Sequence, residues 1–299
     1  MSAVCVRAPA TTANLGAGFD SLGLALRLYN RVSVEETESG LEIEVSGEGA
    51  DALPRDSSNV ALAAMRRLFE SVGRALPPLR IRLQNAIPLA RGLGSSSAAI
   101  VAGLVAANAL AGDPLSAGEL VDMAAALDGH PDNVTACLVG GLAVTAMEGM
   151  HIHYARVPVS EALQVALYIP DFQVSTPAAR RHLPDVYTRE EAVFALSRAA
   201  LTVGALATGQ WELLRVGMQD CMHQPYRSGL YPQMSGLVAA ALEAGAFGAA
   251  LSGSGPTIAA ITDGDPVPVA RAMEEVGSAC ELTGRTVCVR VDGEGACVV

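Results

Sequence analysis

The stretch from Pro88 to Ala99 carries residue types that bind phosphate. It reads Pro-Leu-Ala-Arg-Gly-Leu-Gly-Ser-Ser-Ser-Ala-Ala and leads into the apolar segment 100–110. Glycine allows backbone geometry that other residues resist, serine supplies hydroxyl groups, and the first amides of a helix have no internal partner. Such a helix start favours a bound anion. A turn that only caps a helix has the same composition, so a phosphate cradle and a plain cap both stay open.

The basic residues narrow the ways in which this chain could bind a nucleotide. All twenty are arginine, because the 299 residues contain no lysine. A Walker A loop and a protein kinase each require a lysine, so both classes are excluded. Catalysis through a lysine Schiff base is excluded as well. A nucleotide would have to be held by backbone amides, hydroxyl groups, arginine and a metal ion.

Several other segments place polar side chains between apolar runs, where binding residues concentrate. The first is a small-residue loop at 9–20 that contains Asn14 and ends in Asp20. The others are Asp-Gly-His-Pro-Asp-Asn at 128–133, Ser-Thr-Pro-Ala-Ala-Arg-Arg at 175–181, Gln-Pro-Tyr-Arg at 224–227 and Ser-Gly-Ser-Gly-Pro-Thr at 252–257. Ordinary turns have similar compositions, so each segment alone is weak evidence for a site.

Composition excludes several broad classes of protein. A hydrophobic content of 51% is enough for a large core, and a net charge of −11 argues against a nucleic-acid surface. The apolar segments 98–112 and 236–251 are too short to span a bilayer. The N-terminus lacks signal-peptide features, and the six cysteines form no Cys-x-x-Cys pair. We therefore expect a cytoplasmic protein that binds neither membrane nor nucleic acid.

Hydrophobic periodicity predicts a mixture of helices and strands. Strands are expected at 4–8, 31–36, 41–45, 79–83, 165–169 and 286–291. Helices are expected at 60–72, 100–110, 119–127, 192–206, 212–218, 234–244 and 267–276. The composition of 147–160 suits a linker between two halves of the chain.

Taken in chain order, these segments resemble the motifs of the GHMP small-molecule kinases and, within that family, of the homoserine kinases. The matching segments are 8–23, 88–99, 130–133, the substrate segments 175–180 and 225–227, and the glycine motif 252–257. The resemblance covers nearly the whole chain, and its specificity comes from the shared order of the motifs. It implies an α+β protein with a two-domain GHMP kinase fold. A ribosomal protein S5 domain 2-like domain would span 1–155, and a ferredoxin-like domain 156–299.

The resemblance also implies a reaction, in which ATP phosphorylates L-homoserine to O-phospho-L-homoserine in threonine biosynthesis. ATP contacts are expected at Asn59, Pro88, Leu89, Ala90, Arg91, Gly92, Leu93, Gly94, Ser95, Ser96, Ser97 and Ala98. The cofactor Mg²⁺ would be held by Ser96 and Asp128. Homoserine kinases usually carry glutamate where this chain has Asp128, so direct contact with the metal and contact through a water both stay open.

Homoserine is a zwitterion with a primary hydroxyl group, so its site needs cations, an acid and orienting polar groups. The resemblance assigns Arg180 and Arg227 to the carboxylate and Asp20 to the ammonium group. Asn14, Asn133 and Gly253 would complete the substrate contacts. Spacing does not exclude Arg181 as the partner of the carboxylate in place of Arg180.

The expected catalytic residues are Asp132, Asn133 and His130. Asp132 is a candidate base, although a loose transition state lets the alcohol lose its proton late, even to the phosphate. His130 is expected to hold the turn by hydrogen bonding rather than to act as the base. Two other functions stay open: a GHMP kinase for another small alcohol, and a ligand sensor without catalysis. A homodimer is also open.

Overall fold

The computed structural model describes residues 3–299. In chain order the strands are β1 (Ala3–Ala13), β2 (Leu22–Glu36), β3 (Leu41–Gly47), β4 (Leu79–Asn85), β5 (Leu142–Glu148), β6 (His151–Val157), β7 (Gln164–Pro170), β8 (Gly248–Leu251), β9 (Ile258–Thr262), β10 (Gly284–Arg290) and β11 (Cys297–Val298). The helices are α1 (Val60–Ser71), α2 (Ser95–Ala111), α3 (Ala117–Asp128), α4 (Pro131–Val139), α5 (Thr176–Arg180), α6 (Arg189–Thr208), α7 (Leu214–Gly217), α8 (Gln224–Arg227), α9 (Met234–Glu243) and α10 (Val267–Ala279).

The N-terminal half is built on one mixed sheet with the order β11-β1-β2-β4-β3. Strand β2 is 15 residues long, which lets it pair with three partners at different points of its length. It runs antiparallel to β1, its residues 31–36 pair with β4, and its residues 22–24 pair with β5. Strand β5 also forms a hairpin with β6. The long strand therefore joins the first part of the chain to the segment that follows α4.

Helix α2 lies at the centre of this half. Its buried residues surround the helix instead of following one face, as expected for a helix inside a core. It packs against β1, β2, α1 and α3. Gly103 makes the approach to α1 possible, because a Cβ atom there would lie 2.4 Å from the Ala61 carbonyl oxygen. The start of α2, where Gly94 has a left-handed conformation, is thus held in place by a buried helix.

The C-terminal half contains an antiparallel sheet with the order β10-β7-β9-β8. Numbered within this sheet, the strand order is 4-1-3-2, which is the ferredoxin-like arrangement. Alternate residues of β7 point to opposite faces. Val165 and Leu167 join the core shared with the N-terminal half, whereas Ala166 and Tyr168 pack in a second cluster under α9 and α10. The main core therefore extends through both halves, and the second cluster belongs to the C-terminal half. The expectation of an α+β protein is confirmed.

Some expected elements differ from the observed ones. Strand β1 extends to Ala13 because residues 10–13 pair with β2, so Thr11 is in a strand and not in a loop. The expected linker at 147–160 is largely the β5–β6 hairpin. The chain leaves the first sheet after Val157 and enters the second at Gln164, and β11 later returns to β1. A domain boundary at 155 stays a prediction.

Helix α6 is the one helix of residues 3–299 with the length and apolar composition of a membrane span. Only 22% of its apolar window is buried. Its buried residues Ala205 and Leu206 join the main hydrophobic core. A packed helix of a globular domain meets the same criterion, so length and composition alone do not identify a span.

Candidate active site

A cleft of about 310 Å³ lies between the two halves and brings the polar segments together. Its lining from the N-terminal half is Asn14, Phe19, Asp20, residues 90–97, Asp128, His130, Asp132 and Asn133. Its lining from the C-terminal half is Val174, Ser175, Thr176, Arg180, Arg227, Gly253 and Ser254. Segments far apart in the chain thus meet in one cavity, as expected of a ligand site at a domain junction.

The glycine-rich turn before α2 opens into this cleft. Ala90, Gly92 and Gly94 all have positive φ angles, which bend the chain sharply before Ser95. No side chain caps the helix, and the backbone N–H groups of residues 95–97 have no hydrogen-bond partner in the described chain. Free amides at a helix start attract an anion. The arrangement favours the phosphate cradle over the plain helix cap.

The turn is held by the second Gly-Ser loop of the chain. The Ser252 hydroxyl group donates a hydrogen bond of 2.6 Å to the Gly92 carbonyl oxygen, and the Thr257 N–H donates to the Arg91 carbonyl oxygen. A Cβ atom on Gly92 would lie 2.1 Å from the Ser252 carbonyl oxygen, so this contact requires glycine. The C-terminal half therefore fixes the shape of the N-terminal cradle.

Oxygen atoms suited to a divalent cation lie beside the cradle. The Ser97 hydroxyl group donates a hydrogen bond of 2.8 Å to Asp128 Oδ2, and His130 Nδ1 lies 3.2 Å from the same oxygen. The nearby Asp128 carboxylate raises the pKa of His130, and burial opposes this. The serine expected at the metal, Ser96, is exposed and lines the cleft, and the hydrogen bond to Asp128 comes from Ser97 instead. Ser97 thus has a contact that the sequence did not assign.

Asp132 and Asn133 lie in the first turn of α4. Asp132 is 2% exposed and accepts a hydrogen bond of 2.7 Å from the Asn133 N–H. Burial raises the pKa of Asp132 to about 6, although nearby His130 acts to lower it. The Thr11 hydroxyl group donates to Asn133 Oδ1 at 2.7 Å. The position of Thr11 in β1 therefore orients the Asn133 amide.

The cleft also contains the charged groups expected to bind a zwitterion. Arg180 and Asp20 form a bidentate ion pair with distances of 2.9 and 2.6 Å. The guanidinium groups of Arg180 and Arg227 lie 5.3 and 5.7 Å from the centre of the Phe19 ring. Arg181 is exposed and does not line the cleft. The geometry therefore favours Arg180 over Arg181 as the partner of the substrate carboxylate. Phe19, which lies against both guanidinium groups, was not identified from residue type alone.

Arg227 is 3% exposed, so its charge is largely removed from water. Burial and, secondly, the nearby Arg180 lower its pKa to about 10. Arg227 Nη1 donates a hydrogen bond of 2.9 Å to the Gly253 carbonyl oxygen, and Asn14 Nδ2 donates to the same oxygen at 3.0 Å. The guanidinium group is still charged at neutral pH. Gly253 contributes to the site with its backbone carbonyl oxygen, which accepts both hydrogen bonds.

Four residues expected at ATP do not line the cleft. The Asn59 side chain caps α1 by accepting from the Ala61 N–H, and the Ala98 N–H is bonded to the Gly94 carbonyl oxygen inside α2. Pro88 and Leu89 line an adjoining cavity of about 210 Å³, which shares Arg91 with the cleft. Asn59 and Ala98 therefore contribute to α1 and α2 in this structure, and contacts of these four residues with ATP stay predictions.

Comparison with known proteins agrees with this geometry. Models of the N-terminal and C-terminal domains of GHMP kinases match residues 59–141 and 202–279. The homoserine kinase of Carboxydothermus hydrogenoformans is 44% identical, with 98% of this chain and 96% of that protein covered. The homoserine kinase of Microchaete diplosiphon is 43% identical, with 99% and 97% covered.

Solved structures show the same relationship. The crystal structure of homoserine kinase from Cytophaga hutchinsonii superposes with a TM-score of 0.91 at 30% identity and covers 100% of this chain and 98% of that one. A mevalonate kinase structure at 13% identity has a TM-score of 0.71 and covers 98% of this chain and 100% of that one, so it shares the fold. The expected two-domain fold is confirmed. The chain belongs to the GHMP kinase family and, within it, to the homoserine kinases.

Proposed function

We propose that this protein transfers the γ-phosphoryl group of ATP to the hydroxyl group of L-homoserine, giving O-phospho-L-homoserine for threonine biosynthesis. One observation carries the proposal: an uncapped helix start shares a cleft with Asp20, Arg180 and Arg227. The helix start suits phosphates, and two guanidinium groups with one carboxylate suit a zwitterion. Relatives named homoserine kinase, at 43 to 44% identity, support this substrate.

The ATP phosphates would bind to the free backbone N–H groups of residues 95–97. With no lysine in the chain, these amides and the helix dipole supply most of the attraction that a P-loop obtains from its lysine. The cavity at Pro88 and Leu89 is the proposed position of the nucleoside, because it adjoins the cleft at Arg91.

The oxygen donors near the cradle fit Mg²⁺, which retains several waters and needs one or two protein oxygens besides phosphate. We assign this role to Ser96 and Asp128, with Ser97 holding the carboxylate of Asp128 in position. When bound, the ion would supply positive charge that offsets the charge of the phosphates. Aspartate is one carbon shorter than the usual glutamate, so a water between Asp128 and the ion remains part of the proposal.

In the transfer, the homoserine hydroxyl oxygen bonds to the γ-phosphorus, the bond from that phosphorus to the leaving oxygen breaks, and ADP departs. Asp132 is the proposed acceptor of the hydroxyl proton, because its carboxyl lines the cleft and is ionised above a pKa of about 6. The alternative acceptor is the phosphoryl group itself, since a loose transition state needs little deprotonation of the alcohol. Asn133 would orient the substrate, and His130 would hold the turn through Asp128.

The proposal includes a location and an assembly. All six cysteines are free thiols, which suits the reducing cytoplasm. Val193 and Leu196 of α6 are 59% and 71% exposed, so this helix is the proposed contact of a homodimer. Sedimentation of the purified protein tests the assembly, and a monomer at micromolar concentration would contradict it.

An assay of ADP release from Mg-ATP tests the function, with L-homoserine, mevalonate, galactose and L-serine offered separately. We expect the highest kcat/KM with L-homoserine. A higher value with mevalonate or galactose would refute the proposed substrate and favour a kinase of another alcohol. Binding of homoserine without turnover would instead favour a sensor.

A further inference from the structure

A buried histidine lies directly behind the proposed substrate site. His223 is 0% exposed and immediately precedes α8, one helical turn before Arg227. Its Nδ1 atom lies 3.1 Å from Arg227 Nη1, and its Nε2 atom lies 2.9 Å from the Gly16 carbonyl oxygen. A guanidinium group only donates hydrogen bonds, so Nδ1 must accept. The ring therefore carries its proton on Nε2, which donates to Gly16.

The surroundings of His223 keep the ring in one orientation. Asp220 Oδ2 lies 3.2 Å from Nε2, and this carboxylate also accepts hydrogen bonds from the backbone N–H groups of Met222 and Gln224 at 2.6 and 2.7 Å. The Phe19 ring stacks on the imidazole with 5.4 Å between ring centres. Two acceptors at Nε2 and an aromatic ring stacked on the imidazole face thus fix the orientation of the histidine.

This orientation decides which donors of Arg227 remain available. The two hydrogens of Nη1 are directed to His223 Nδ1 and to the Gly253 carbonyl oxygen. Nε is buried and has no hydrogen-bond partner within residues 3–299. Nη2 has no hydrogen-bond partner within residues 3–299 and is not among the buried atoms, so its two N–H groups are the donors left for a carboxylate in the cleft.

We propose that His223 is a positioning residue, which occupies Arg227 Nη1 and so directs the free Nη2 donors of the guanidinium group to the substrate carboxylate. The inference rests on the proposed function and assigns a residue that the sequence motifs did not identify. Burial, together with the charge of Arg227, lowers the pKa of His223, while Asp220 and the more distant Asp20 act to raise it. A neutral ring keeps the lone pair on Nδ1 that this role requires.

A matched pair of variants tests the two ring atoms separately. In His223→Asn the amide oxygen reaches the position of Nδ1, so the acceptor for Arg227 is retained. In His223→Gln the amide reaches the position of Nε2, so the contact with Gly16 is retained and that acceptor is lost. We expect His223→Gln to raise the KM for homoserine about tenfold, because an unsatisfied buried donor costs roughly 1–3 kcal/mol. The KM for ATP should stay unchanged, and His223→Asn should keep the KM for homoserine within about threefold.

A substrate without a carboxylate separates this role from general damage to the fold. The compound 3-aminopropan-1-ol keeps the hydroxyl and amino groups of homoserine, so its kcat/KM should be equal in the wild type and in His223→Gln. A loss of equal size on both substrates, or equal effects of the Asn and Gln variants, would overturn the role of His223. Failure of the wild type to phosphorylate homoserine would instead overturn the proposed function.

Nitrogen-15 NMR of the histidine-labelled wild type tests the tautomer without any variant. We expect His223 at pH 7.5 to carry its proton on Nε2 and none on Nδ1. A proton on Nδ1 would overturn the inference, because Arg227 would then have no acceptor there.

Discussion

Asp132 carries a carboxyl group whose ionisation opposes folding, so its replacement by asparagine should stabilise the protein. The side chain is almost fully buried, and this burial raises its pKa from 3.8 to about 6 in the folded protein. Because the folded pKa is the higher one, the unfolded chain loses this proton first as the pH rises. The cost to stability is absent below pH 3.8, grows as the pH rises towards 6, and is complete above it.

The size of the effect follows from the two pKa values. Their difference is about two units, and each unit corresponds to roughly 1.4 kcal/mol, so the full cost is about 3 kcal/mol. At pH 5 linkage leaves about half of that cost. Asparagine cannot ionise, and its amide oxygen can still accept the hydrogen bond from the Asn133 N–H. Asp132→Asn should therefore raise the free energy of unfolding by up to about 3 kcal/mol at pH 8 and about half as much at pH 5.

Urea unfolding of the wild type and of Asp132→Asn at pH 5, 6.5 and 8 measures this difference. Asp263→Asn is the matched control, because Asp263 is exposed and the same chemical change there should leave stability within about 0.5 kcal/mol. A gain that does not grow with pH, or a variant less stable than the wild type at pH 8, would refute the reasoning. The same variant should lose activity if Asp132 accepts the hydroxyl proton. Residues that serve catalysis often lower stability, so replacing them raises stability and reduces activity.

Three further predictions concern the charged groups of the cleft. Arg227→Ala should raise the KM for homoserine about 30-fold or more, because removing one partner of a buried charge contact costs about 2 kcal/mol or more. An equal increase in the KM for ATP would show that Arg227 does not bind the carboxylate. Asp20→Asn should reduce the preference for homoserine over 4-hydroxybutyrate, which lacks the ammonium group; an unchanged kcat/KM ratio would contradict that role. Ser97→Ala removes the hydrogen bond to Asp128, so the Mg²⁺ concentration for half-maximal rate should rise about tenfold. An unchanged Mg²⁺ titration would contradict the proposal that Ser97 positions Asp128 for the ion.

Much of the fold and of the candidate site could be predicted from short motifs. Residue type and order indicated the cradle and the zwitterion groups, and the structure brings Asn14, Asp20 and Arg180 into one cleft. Contacts between distant parts of the chain could not be predicted in this way. Thr11 lies in a strand because β1 pairs with β2, and His223 has a partner, Gly16, that is 207 positions away.

The serines of the cradle show a second limit of sequence reasoning. Successive residues of a helix point about 100° apart, so neighbouring serines face different surroundings although their sequence context is nearly the same. The start of α2 directs Ser97 towards Asp128 and leaves Ser96 exposed in the cleft. Only the rotation of the helix about its axis distinguishes the two, and packing of α2 against its neighbours sets that rotation.

The ion pair of Asp20 and Arg180 joins the two side chains that are proposed to bind the opposite charges of the substrate. Asp20 occupies the guanidinium group that the substrate carboxylate is proposed to take. Entry of homoserine would then be an exchange of partners, in which Arg180 passes from Asp20 to the carboxylate and Asp20 passes to the ammonium group. The net charge of the cleft is the same before and after this exchange, because the substrate brings one positive and one negative charge. A molecule with only one of the two charges would leave one member of the pair without a partner, so the pair itself favours ligands that carry both charges, as amino acids do.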